Sequence, residues 1–160
     1  MKKNHFFTLA FFFLLLLVVS CNFGVLVDRN KKIPDATWKS SDIIKFSVNI
    51  PDTIQVYNFF INIRNSSDYK YSNIFLFLKT FYPNRMFSVD TVECTLADDS
   101  GKWLGRQRGK LIDNRILFRQ GVRFRQTGTY CFEFEQAMRE PELSGIEDVG
   151  IRIEKFEAAK

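Results

Sequence analysis

The chain has almost no histidine. His5 is the single one in 160 residues, and it lies ahead of the point where the amino terminus reads as being cut. A mature chain without histidine has no Ser-His-Asp or Cys-His catalysis, because both need imidazole as the base. It also has no usual mixed His/Cys zinc site. Long apolar runs are scarce as well. The longest, Phe6 to Val19, is fourteen residues broken only by Thr8, which as a helix spans roughly 21 Å. A bilayer core needs about twenty residues, so the run is too short for a permanent span and fits the h-region of a signal peptide behind Lys2 and Lys3.

The run ends in Val18-Val19-Ser20-Cys21. An apolar residue at minus three, a small one at minus one and a cysteine after the cut match a bacterial lipobox. Cleavage between Ser20 and Cys21 then frees an amine, and the Cys21 thiol accepts a diacylglyceryl group. Two or more acyl chains anchor stably where one binds only marginally. Residues 1–20 are therefore expected to be a lipoprotein signal peptide. Losing Lys2 and Lys3 lowers the formal charge from +5 to +3, which no longer argues for nucleic acid. Asn22 is not the aspartate linked to inner-membrane retention, and no acidic run marks surface export. The expected location is the periplasmic face of the outer membrane.

Three cysteines minus the anchor leave Cys94 and Cys131. The compartment permits a disulfide, but strand periodicity opposes it. Cys94 shares a face with Val92 and Leu96, which reads as core. Cys131 shares one with Glu133 and Glu135, which reads as solvent. A bridge needs Cβ atoms about 3.8 Å apart, so two free thiols are expected.

Residues 21–38 read as the lipidated terminus and a linker. "VDRNKKIPDATW" is charged, holds Pro34 and has no sustained period. Residues 39–160 suit one domain, with no internal repeat or low-complexity tract. The body reads as strands. "DIIKFSVNI" puts Ile44, Phe46, Val48 and Ile50 on one face, and "TIQVYNFFINIRN" alternates Tyr57, Phe59, Ile61 and Ile63 against polar residues. "YSNIFLFLKTFYP" is nearly continuously apolar, as in a central strand buried on both faces. "NRILFRQ" and "VRFRQ" flank Gly121, and "DVGIRIEKF" closes the chain, with Gly145 and Gly150 allowing tight turns. Only "EFEQAMREPEL" offers a helix, limited by Pro141 to a turn or two, from which Met138 and Leu143 fold back onto the sandwich edge. The expected fold is all-β: a single antiparallel β-sandwich, jelly-roll or immunoglobulin-like, with one short helix.

Eighteen phenylalanines in 160 residues fit an aromatic core, since most fall on inward strand positions. Trp38 and Trp103 could also stack on a sugar. Trp103 sits in the loop "DSGKWLGRQRG" between Gly101 and Gly105. Charge is uneven. From Lys102 to Arg125 there are eight basic residues against Asp113 alone, and from Glu133 to Lys160 eight acidic residues against four basic. Either the two segments pair across strands, or the basic one, with Arg106 and Arg108, forms a face for an anionic surface or acidic partner. Trp103, Arg106 and Arg108 are the candidate binding surface. The carboxylate pairs Asp98-Asp99, Glu133/Glu135 and Glu147-Asp148 read as turn and solvent-face residues, because a glycosidase needs two carboxyls facing across a cleft. No catalytic residue, metal site, cofactor or small-molecule substrate is expected.

The stretches "NIFLFLKTFYP", "DTVECTLADDSGKWLGRQRG", "GTYCFEFEQAMR" and "LSGIEDVGIRIEK", with the lipobox upstream, resemble the gliding motility lipoprotein GldH family of the Bacteroidetes. The resemblance covers nearly all of the mature chain. It implies an outer-membrane-associated lipoprotein, anchored through Cys21, that serves cell movement over surfaces and is tied to the type IX secretion apparatus. It implies envelope protein partners and no enzymatic activity. The alternative read from Trp103, Trp38 and the basic run is a carbohydrate- or peptidoglycan-binding lipoprotein.

Overall fold

A period of two in hydrophobicity runs through most of the chain, and the backbone obeys it. The structure is a computed structural model that describes residues 24–157; the signal peptide, Ser20 and Cys21 lie outside them. In chain order the strands are β1 (Val25–Lys32), β2 (Thr37–Lys39), β3 (Ile44–Ile50), β4 (Val56–Ser66), β5 (Asn73–Phe81) and β6 (Phe87–Thr95). The second half adds β7 (Arg106–Arg108), β8 (Leu111–Arg123), β9 (Gly128–Gln136), β10 (Glu142–Ser144) and β11 (Ile146–Lys155).

Two antiparallel sheets pack face to face. One has the order β1-β11-β4-β8-β7 and the other β3-β9-β5-β6. Among the eight long strands the pairing is nested: β1 with β11, β3 with β9, β4 with β8, and β5 with β6. That is one long hairpin rolled onto itself, which makes the sandwich a jelly roll rather than an immunoglobulin-like fold. The inner faces carry the expected residues. Ile44, Phe46, Val48 and Ile50 are buried, as are Tyr57, Phe59, Ile61 and Ile63. Phe59 of one sheet meets Phe132 of the other edge to face, with centroids 5.0 Å apart, a geometry the ring quadrupoles favour.

Several expectations are corrected. No α-helix forms among the described residues. "EFEQAMREPEL" finishes β9 as a strand, with Phe134 and Gln136 buried in alternation. A turn comes next, held by the Gln136 side chain: its Nε2 donates to the Glu140 carbonyl at 2.8 Å and its Oε1 accepts from Met138 N at 2.9 Å. Leu143 is buried and Met138 packs on the core, so the expected fold-back holds without the helix. Residues 25–38 are not a linker. They form β1, a single 3-10 turn (Pro34–Ala36) and most of β2. Trp38 is fully buried, and its Nε1 donates to the Asp42 carbonyl at 2.8 Å. β5 is buried on one face only, because no layer of the described residues covers the outer side of its sheet, and Phe75 and Phe77 are exposed. Gly121 lies inside one strand, β8, which takes in Val122 and Arg123 of the second stretch, with Gly121 at φ 68° where the register with β4 shifts.

The two ends of the sandwich differ. β1 begins where β11 finishes, with Lys155 N donating to the Gly24 carbonyl at 2.7 Å. β4 starts and β8 finishes there too, since Val56 pairs with Arg123. The short connections 51–55 and 124–127 and the β5–β6 hairpin tip belong to the same end. β2 and β10 form a small sheet at the other, with Trp38 opposite Leu143.

Candidate functional site

Strand β4 is the middle of its sheet, so its outward residues are flanked on both sides. The pleat turns Asn62 and Arg64 outward while Ile61 and Ile63 point in. On one side β11 and β1 bring Asp148, Asp28 and Asn30. On the other, β8 and β7 bring Asp113, Arg115, Arg106 and Arg108. Together they line a cavity of about 410 Å³.

Arg64 links the two halves of this face. Its Nε donates to Asp113 on β8, and its Nη1 donates to Asp148 on β11 at 2.7 Å. The hydrogen bond from Arg64 to Asp113, with help from Asp148, raises the Arg64 pKa further above its ordinary value. Arg108 Nε approaches the second oxygen of Asp113 at 3.2 Å. Asp28 gathers Arg152 and, at 3.6 Å, Arg115. The segregated charge of the sequence is thus joined, but not by direct pairing of the basic and acidic segments. Basic β8 and acidic β11 never touch as neighbours; β4 lies between them and Arg64 spans both.

A second set of residues in this face carries no charge and was missed in the sequence. Gly150 sits inside β11, not in a turn. A Cβ there would lie 1.8 Å from Asn30 Oδ1 and 2.5 Å from the Arg29 carbonyl oxygen. The missing side chain lets Asn30 lie across the strand, where its Oδ1 accepts from Asn62 Nδ2 at 3.1 Å. The same Nδ2 also donates to Asp28 at 3.1 Å. A glycine inside a strand is the one signal that pointed to such a close approach.

Of the candidate residues named from sequence, Arg106 and Arg108 lie together on β7 and line this cavity. Trp103 stands apart: it is half-buried, bridged to Ala97 and packed on the core. Trp38 is sealed inside and cannot stack on a sugar. None of the cavity's lining residues is aromatic, so it lacks the platform that glycan stacking uses. What the face offers is an array of fixed guanidinium and carboxylate groups, suited to a charged protein surface.

The carboxylate pairs take structural positions. Asp98 accepts from Ser100 and from the Lys102 backbone, and these bonds hold its pKa below the usual carboxylate value. Glu133 pairs with Lys45 at 2.6 Å. Cys94 is buried and Cys131 half-buried on the opposite face, both free. Among the described residues, no group of three or more His, Cys, Asp or Glu is placed to hold a metal ion.

A second cavity, about 500 Å³, opens between the sheets beside β6 and β8. Phe59, Phe118, Phe124 and Tyr130 form its floor, and Arg119, Arg123 and Arg125 stand at its rim. Arg119 is held by Asp90 at 2.6 Å.

Residues 25–153 match the family described as GldH lipoprotein. A protein of Christiangramia forsetii named gliding motility lipoprotein GldH homolog is 34% identical over 160 aligned residues, covering 96% of this chain and 98% of that protein. The gliding motility lipoprotein GldH of Flavobacterium johnsoniae is 29% identical, covering 88% of this chain and 91% of its own.

Proposed function

The chain belongs to the GldH lipoprotein family, and from that premise we propose that it is a non-enzymatic accessory of the gliding machinery linked to type IX secretion. It is carried by lipid on Cys21 at the periplasmic face of the outer membrane and binds other envelope proteins. The observation that carries the reading is the length of the match. It begins at Val25 and runs to Ile153, so the family's fold starts directly behind the lipobox cysteine. The relatives bear the names of motility lipoproteins, not of enzymes. The outer face around Arg64 supports contact over chemistry, because Arg64, Arg108, Arg115 and Arg152 are held in ion pairs with Asp28, Asp113 and Asp148, and Arg106 beside them presents an exposed positive charge.

Whole-cell cross-linking with mass spectrometry, combined with fractionation, tests this. The expected result is an acylated Cys21, recovery with outer membranes, and cross-links from the β7–β8 region to envelope proteins. Globomycin, which blocks lipoprotein signal cleavage, should leave the uncut form. Recovery of unacylated protein in the cytoplasm, or a deletion strain with unchanged movement and secretion, would overturn the proposal.

A further inference from the structure

We propose that the end of the jelly roll where β1 begins rests on the membrane, with Ile54 and Met86 inserted among anionic phospholipid headgroups. This orientation rests on the proposed lipidation of Cys21. It adds a specific surface and specific residues to it.

The tether is short. Cys21 lies three residues before Gly24, and an extended chain spans at most about 3.6 Å per residue. Gly24 is therefore within about 11 Å of the lipidated residue. Gly24 is already tied into the fold through the Lys155 amide. With so little slack, the body cannot stand off from the bilayer, and the end holding Gly24 is the one brought to it.

That end displays apolar tips. Ile54 in the β3–β4 connection is 81% exposed and Met86 in the β5–β6 hairpin is 65% exposed; no other large hydrophobic among the described residues is as open. Phe87 beside Met86 is also exposed. The position of Ile54 is fixed and not a loose end: Asp52 Oδ1 accepts from the backbone amides of Ile54 and Gln55 at 2.9 and 2.7 Å. The hairpin tip is held by the Met86 carbonyl accepting from Tyr82 N at 2.9 Å.

Charge points the same way. Arg85, Arg123, Arg125 and Lys155 are exposed at this end. Asp52 and Glu157 offset part of that charge, leaving a cationic excess. The opposite end is mixed in sign, with Asp68, Asp98, Asp99 and Glu142 beside Lys39, Lys70, Lys102 and Lys110. Exposed apolar tips ringed by basic side chains are the pattern of a surface that lies on an anionic leaflet.

The test uses full-length, lipidated protein reconstituted into vesicles of phosphatidylethanolamine and phosphatidylglycerol. Cys131 is replaced by serine, and the buried Cys94 does not label. A single cysteine carrying an environment-sensitive fluorophore is placed at Ile54 or Met86, or at Asp99 or Lys110 at the far end. All four sites are exposed, so the fold tolerates the label. The expected result is a blue shift and a severalfold rise in emission at 54 and 86, with 99 and 110 unchanged. Acylated protein whose probes at 54 and 86 stay as wet as those at 99 and 110 would overturn the orientation alone. A mass spectrum showing no acyl group on Cys21 would overturn the anchor reading and the orientation with it.

Discussion

Asn30 lies across Gly150 so closely that a single added carbon would sit 1.8 Å from its side-chain oxygen. The contact joins the edge strand β1 to β11, so the strand that connects the fold to the lipobox depends on one missing methyl group. Gly150→Ala should therefore push β1 outward. Overpacking of this kind costs about 1–3 kcal/mol, and urea denaturation should show the midpoint falling. Asn30→Gly in the same chain should recover only part of the loss, because the Arg29 carbonyl oxygen is also in the way.

Trp38→Ala asks whether residues 25–38 belong to the domain. A linker tryptophan could be removed freely. Here the indole is buried against Leu143 and the core, so truncation should cost about 3–5 kcal/mol. Chemical denaturation and the loss of near-ultraviolet dichroism would read it. An unchanged midpoint would restore the linker.

Cys94 gives a pH dependence. Burial pushes its thiol from 9.0 up to about 12. Below pH 9 the thiol is neutral in both folded and unfolded chains, and its burial is tolerated in full. Between pH 9 and about 12 the unfolded chain ionises first, so stability falls as pH rises. Cys94→Ala should flatten that slope in part. Tyr57, Tyr69 and Tyr130, which burial also shifts upward, and Tyr71, raised by its hydrogen bond to Glu140, keep part of the remainder. At neutral pH iodoacetamide should modify Cys131 and spare Cys94 until the protein unfolds.

The double substitution Arg106→Glu, Arg108→Glu reverses charge at exposed positions. Stability should fall by about 1 kcal/mol at most, because the Arg108–Asp113 pair that is lost is solvent-exposed. The yield of cross-linked envelope proteins should drop, and the difference from wild type should shrink as salt shortens the screening length. Equal yields at low salt would remove β7 from the docking surface.

Much of this protein was readable in order along the chain. The inward faces of β3, β4 and β11, and the opposite faces of Cys94 and Cys131, come from alternation, because a strand's side chains repeat every two residues whatever it pairs with. The failures share a cause. β1 reads as a charged linker because it is an edge strand whose second half faces solvent; only its pairing with β11 makes it a strand. β5 reads as buried on both sides, yet burial depends on whether a layer exists outside it, and among the described residues none does. "EFEQAMREPEL" carries helix formers, and β9 overrides them because Lys45, Phe46 and their neighbours on β3 pair with it.

The order of residues alone was enough for the all-β class, the absence of histidine after residue 5 and the inward-turning side chains of β3, β4 and β11. Tertiary structure decided the nested pairing, and with it the partners of every charge. Asp28 meets Arg152 across 124 residues, and Arg64 spans β8 and β11. Alternation is local, so one strand suffices to show it. Registration between distant strands exists only once the hairpin has rolled up, and the proposed docking face and membrane-facing end arise from that registration.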